Sequence, residues 1–244
     1  MEWKKLLNSA RLGKESNAMG ADSSPTIRSE FQRDFDRIAF SSAFRRLQDK
    51  AQVIPLSDSD YPRTRMTHSL EVSTVGRSLG IIAGKNILGK NLELEGDIFF
   101  SDFGAIVAAA CLAHDIGNPP FGHSGEAAIS QWFLHSNLGQ KVLTRLKDEV
   151  QREDFLKFEG NGQGFRVLTR LQFPNTEGGL QLTYATLGAF SKYPINSSKA
   201  NKKANRKSRK KHGFLTKMKK TSKKWQKIWV WRKINAMVGI TAIP

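Results

Sequence analysis

The stretch His114-Asp115-Ile116-Gly117-Asn118-Pro119-Pro120-Phe121-Gly122-His123-Ser124-Gly125-Glu126 decides how this chain is read. It follows a mostly apolar run, residues 97 to 114, whose small side chains Ala105, Ala108, Ala109 and Ala110 suit a closely packed core helix. An adjacent His and Asp at the end of such a helix place an imidazole and a carboxylate where one cation can meet both. Nitrogen and oxygen donors of this kind suit Mn, Fe, Mg, Co or Zn in different degrees. The glycines and prolines that follow break the helix and open that end. A lone His-Asp pair is more often structural, so the weight rests on the whole string.

Working outward, Arg63-Thr64-Arg65-Met66-Thr67-His68 lies upstream. His68 opens a helix marked by Met66, Leu70, Val75, Leu79 and Ile82, running to about Gly84. From a neighbouring helix it could close on the same cation. Arg65, three positions earlier, shares the His68 face on a helical first turn, and a guanidinium there suits phosphate oxygens. A solvated helix-start charge is the plainer account of Arg65 alone. Downstream, His123 and Glu126 stand three apart at the start of a helix reaching His135, close enough to hydrogen-bond.

The remaining pattern is helical. Phe31, Phe35, Ile38 and Ala39 recur at helical spacing, and Phe44 and Leu47 continue that apolar face towards Lys50. Val53-Ile54-Pro55 ends the stretch, and Ser57 to Pro62 reads as a loop. Further helices are predicted over Val142 to Phe155 and Gly164 to Leu171, with a short hairpin possible around 158 to 183. No glycine-rich phosphate loop or internal repeat is present.

Composition sets bounds. Net charge is +17, yet residues 178 to 244 carry 17 Lys or Arg and no Asp or Glu, while residues 1 to 177 hold 22 of each sign. A neutral domain therefore precedes a basic segment, and the charge says nothing about the first part. Two regions follow: 1–196 as the helical domain, and 197–244 as a low-complexity basic tail, expected to be solvated without a fold of its own. The single cysteine, Cys111, excludes an intrachain disulfide and reads as a buried structural thiol. No apolar stretch is long enough for a membrane span, and Met1 to Lys5 lead into no signal-peptide core. A cytoplasmic protein without membrane partners is expected.

These strings resemble the HD-domain superfamily, and within it the bacterial dGTPase-like deoxynucleoside triphosphate triphosphohydrolases. So do Ser29-Glu30-Phe31-Gln32-Arg33-Asp34-Phe35-Asp36-Arg37-Ile38, Ala43-Phe44-Arg45-Arg46-Leu47-Gln48-Asp49-Lys50 and Phe158-Glu159-Gly160-Asn161-Gly162-Gln163-Gly164-Phe165-Arg166. The similarity covers about residues 1 to 213. It implies an all-α HD-domain core, incomplete at the C-terminus, and cleavage of a dNTP by water to a deoxynucleoside and triphosphate. It further implies a divalent cation, Mn²⁺ or Mg²⁺, on His68, His114 and Asp115, and an acid–base pair of His123 and Glu126. Substrate contacts fall to Arg65, Asn118 and Gln48. The intact family is expected to form homo-oligomers, and single-stranded nucleic acid is a possible partner.

The chain departs from the family where a later Asp should complete the metal site, because no Asp or Glu follows Glu177. Asp148 and Asp154 lie where the family places no ligand. From about residue 215 the text suits an out-of-frame reading of acidic codons, so little turnover is expected of this chain. The alternatives are another HD-superfamily nucleotide phosphohydrolase, or an inactive fragment or nucleic-acid-binding protein working through the Lys/Trp tail.

Overall fold

The structure is a computed structural model that describes residues 3–14, 28–50, 64–193, 195, 197, 200, 211–213 and 215. Its elements are α1 (Trp3–Leu6), α2 (Glu30–Ala39), α3 (Ser42–Arg45), α4 (Arg65–Leu88), α5 (Phe100–Ala113), α6 (Gly122–His135), α7 (Asn137–Arg145), α8 (Glu149–Leu156), α9 (Gly160–Arg166) and α10 (Tyr184–Phe190). The all-α class holds. Among the described residues there is no strand, and the hairpin expected near 158 to 183 is replaced by α9 and a π-helical turn over Val167–Leu171. An isolated antiparallel bridge joins Arg11 and Thr183.

α5 is the axis of the fold, packed by α2, α4 and α10. Its Ile106, Ala108, Ala109, Leu112 and Ala113 are closed off from solvent, and the small side chains let its neighbours come near.

α4 forms where the sequence marks it and runs on to Leu88, but most of the apolar residues that mark it do not face inward. The buried stripe is Arg65, Ser69, Ser73, Gly76, Gly80 and Gly84, whereas Leu70, Val75, Leu79 and Ile82 lie exposed. The reason is distance. A Cβ on Gly76 would sit 2.6 Å from Cys111 Sγ, and one on Gly80 would sit 2.7 Å from the Phe103 carbonyl oxygen. Close backbone packing beats side-chain hydrophobicity here, and Ser73 Oγ adds a 2.9 Å bond to the Ala108 carbonyl. Cys111 Sγ lies in this seam, half-buried rather than closed off as expected, and burial pushes its thiol up to about 11.

Three other expectations are corrected. The stretch from Phe31 to Lys50 is not one helix: Ser41 caps α3 through the Phe44 N–H and divides it from α2, although Ile38, Phe44 and Leu47 stay in one buried cluster. The helix expected over 142 to 155 is broken between α7 and α8, where Asp148 accepts the Val150 N–H. The helix expected from Gly164 begins at Gly160. The loop at 57 to 62 and residues 216–244 lie outside the described residues.

The opening motif acts as an anchor. Arg11 reaches Glu30 and the fully buried Asp34, each at 2.6 Å, and donates to the Gln181 carbonyl at 2.7 Å. Asp34 in turn accepts from the Thr183 backbone and hydroxyl, tying the N-terminus and α2 to α10. Burial pushes the Asp34 carboxyl up, and Arg11 and Thr183 oppose that. Near the other end, His212 and Leu215 are buried, and the Gly213 N–H bonds to the Ile195 carbonyl.

Candidate active site

The site begins where two helices present their ends. Thr64 caps α4 by accepting the Thr67 N–H, which fixes Arg65 and His68 on its first turn. His114 caps the C-terminus of α5. The His68 and His114 rings meet edge to face with centroids 5.2 Å apart.

His114 Nδ1 lies 2.7 Å from the Cys111 carbonyl, which fixes a proton there and leaves the Nε2 lone pair free. That Nε2 is 3.8 Å from Asp115 Oδ2. Burial, then the neighbouring His114, push the His68 imidazole below its ordinary range, favouring the neutral ligand form. Two imidazoles and a carboxylate thus fit the donor set of a divalent cation. Among the described residues no three His, Cys, Asp or Glu side chains form a group that could hold a metal ion as they stand. Asp115 Oδ1 is already taken, by Arg65 Nη1 at 3.0 Å and Asn118 Nδ2 at 2.6 Å.

Arg65 is not the solvated helix-start charge of the plainer account: it is buried and faces Asp115. Its Nε is buried without a partner among the described residues. Asn118 joins the Asp115 side of the site, and its carbonyl accepts from Lys50 Nζ at 3.1 Å. Gln48 is exposed and accepts from the Thr64 hydroxyl at 3.2 Å, one residue from Arg65.

The loop after Asp115 turns through Gly117 at φ 96° and then through Phe121 and Gly122 at 63° and 53°. A left-handed phenylalanine is uncommon, and it directs the chain into α6, where His123 and Glu126 occupy the first turn. His123 Nδ1 is 2.7 Å from Glu126 Oε2. Glu126 is buried, while His123 is open to solvent. The other Glu126 oxygen accepts the Gly160 N–H at 2.7 Å.

Gly160 joins the two halves of the site. A Cβ there would lie 2.0 Å from Asn118 Oδ1 and 3.1 Å from Glu126 Oε1. Sequence reasoning left Glu159, Gly160, Asn161 and Arg166 without roles and passed over Lys50 and Lys211. The structure gives Glu159 an acceptor role towards Asn161 Nδ2 at 2.6 Å and Lys211 Nζ at 3.5 Å. Nothing in the structure explains Arg166. The glycines of residues 160 to 164 carried the available signal, because the Gly117 loop packs on their backbone.

Comparison with known proteins bears on the family. Residues 65–159 match the HD domain, so this stretch of the chain is an HD domain. Within that class the chain is similar to deoxyguanosinetriphosphate triphosphohydrolase-like proteins. It is 51% identical to one from Synechocystis sp. over 201 residues, 81% of this chain and 43% of the relative. It is 53% identical to one from Pseudomonas aeruginosa over 200 residues, 82% of this chain and 43% of the relative. A deoxyguanosinetriphosphate triphosphohydrolase from Enterobacter sp. is 40% identical over 203 residues, 71% of this chain and 38% of the relative. The chain spans less than half the length of these curated relatives. Among the described residues no helix is long and apolar enough to cross a membrane.

Proposed function

We propose that this site belongs to a metal-dependent hydrolase that splits a deoxynucleoside triphosphate, dGTP-like, into deoxynucleoside and triphosphate. The relatives' names point to that substrate class. The observation that carries the reading is the continuous contact from His114 and Asp115 through Asn118 and Gly160 to Glu126 and His123. It sets a donor set for a cation beside a hydrogen-bonded acid–base pair.

His68, His114 and Asp115 would hold the cation, Mn²⁺ or Mg²⁺, which supplies positive charge against the phosphate oxygens. His123, with Nδ1 committed to Glu126, offers Nε2 to take a proton from an attacking water. A bond forms from that water's oxygen to the α-phosphorus, the bond to the sugar's 5′ oxygen breaks, and that oxygen takes up a proton. Arg65 keeps Asp115 oriented, and Asn118 and Gln48 line the approach for substrate.

The test is triphosphate release from each dNTP with Mn²⁺. The chain alone is expected to turn over slowly, since its donor set is one carboxylate short of the family pattern. Joined to the unmatched region of the Pseudomonas aeruginosa relative, it should release triphosphate. Orthophosphate or pyrophosphate as the product instead would overturn this reading.

A further inference from the structure

Lys211 lies between two buried acids. Its Nζ is 3.5 Å from Glu159 Oε1 and 3.9 Å from Glu126 Oε2, and it hydrogen-bonds only the former. Glu126 Oε2 is the same oxygen that faces His123 Nδ1 at 2.7 Å. An ammonium and an imidazole N–H thus compete for one carboxylate oxygen. A lysine has three donors on a flexible stem and a full charge, so with no second acid nearby it would move onto Glu126.

Glu159 is only 6% exposed, and its position is fixed twice. Asn161 Nδ2 donates to the same Oε1 at 2.6 Å, and the next residue, Gly160, is bonded through its N–H to Glu126 Oε1. The two carboxylates are therefore held at a set separation by one short piece of backbone.

We propose that Glu159 is a positioning residue that keeps Lys211 off the His123–Glu126 hydrogen bond. This deepens the reading of His123 and Glu126 as the acid–base pair and gives the Glu159-Gly160-Asn161 motif a purpose: Gly160 orients Glu126, Asn161 orients Glu159, and Glu159 restrains the lysine. The charged and titratable groups around the bond are Glu159, Lys211, Tyr193, whose phenol feels both acids, and His212, which feels Glu126, Lys211 and Lys157.

The experiment reads the His123 tautomer in the full chain by long-range proton–nitrogen NMR, with no need for turnover. In the parent chain the Nδ1–H form should dominate at His123, because Glu126 accepts that proton. In Glu159→Gln, Lys211 moves to Glu126 and the Nδ1–H fraction should fall several-fold, while His135 at the far end of α6 is unchanged. Adding Lys211→Met to Glu159→Gln should restore the Nδ1–H form, which general damage to the loop would not allow. An unchanged His123 in Glu159→Gln, or a double variant that stays released, overturns the proposal. Should Glu159→Gln fail to fold, Glu159→Asp shortens the reach to Lys211 by one methylene. A partial loss that Lys211→Met reverses supports the proposal, and no loss overturns it. Because the readout is spectroscopic, failure to hydrolyse dNTPs would remove the proposed function and leave this contact standing.

Discussion

Arg65 Nη1 stands 3.0 Å from Asp115 Oδ1, with both side chains nearly closed off from solvent. Removing one partner of a buried pair leaves the other charge uncompensated, at a cost of about 3–5 kcal/mol. Arg65→Met should therefore lower stability by that order in urea denaturation. Arg65→Met with Asp115→Asn should recover much of the loss. A silent Arg65→Met would mean the pair contributes nothing to the fold.

The donor set predicts metal binding. His114→Ala and Asp115→Ala should each abolish Mn²⁺ uptake, measured by calorimetry, since each removes a proposed ligand. Equal metal content in either variant and the parent would refute the assignment.

His123 is exposed and touches Glu126 rather than the proposed ligands. In the chain completed with the relative's C-terminal region, His123→Ala should cut turnover by roughly 100-fold or more with metal retained. Loss of metal in that variant would make His123 a ligand instead.

His212 is 1% exposed, and burial pushes its imidazole down to about 4, with Lys157 acting in the same direction. The folded form therefore resists protonation while the unfolded chain takes a proton near the ordinary value of about 6.5. Its contribution to stability is complete above that value and is lost as pH falls through 6.5 towards 4. Urea midpoints should drop over that window, with about one proton taken up on unfolding, and His212→Leu should flatten the slope. A parent midpoint that is level across the window would contradict the burial of this ring.

Gly80 faces backbone, with the Phe103 carbonyl and Gly104 Cα both within 3.0 Å of where a Cβ would stand. Gly80→Ala should cost on the order of 1–3 kcal/mol and weaken Mn²⁺ binding as well, because α4 carries His68 and α5 carries His114. Full stability in that variant would show that the helices can part without loss.

Most of the fold could be read from residues whose neighbours are close in sequence. α5 announced itself by its alanines, and α6 by the turn before it. The site residues were legible for a different reason: His114-Asp115 and His123-Glu126 each sit within one turn, so their spacing already encodes their contact. What escaped reading depends on distant pairs. Leu70, Val75, Leu79 and Ile82 look like a core face until Gly76 and Gly80 meet α5 more closely than any leucine would permit. Arg65 looks like a solvent-facing charge until Asp115, fifty residues on, is laid against it. Lys211 carried no local signal at all, and only the packing of residues 211 to 213 on α9 brings it to Glu126.

The glycine seam of α4 has one more consequence. Where two helices already touch backbone to backbone, they can be pushed apart but not drawn nearer. The gap between His68 and His114 is a hard stop on one side, set by missing atoms rather than by attractive ones. A wider cation would have to part α4 from α5, because the proposed ligands His68, His114 and Asp115 all stand on or at the ends of these two helices.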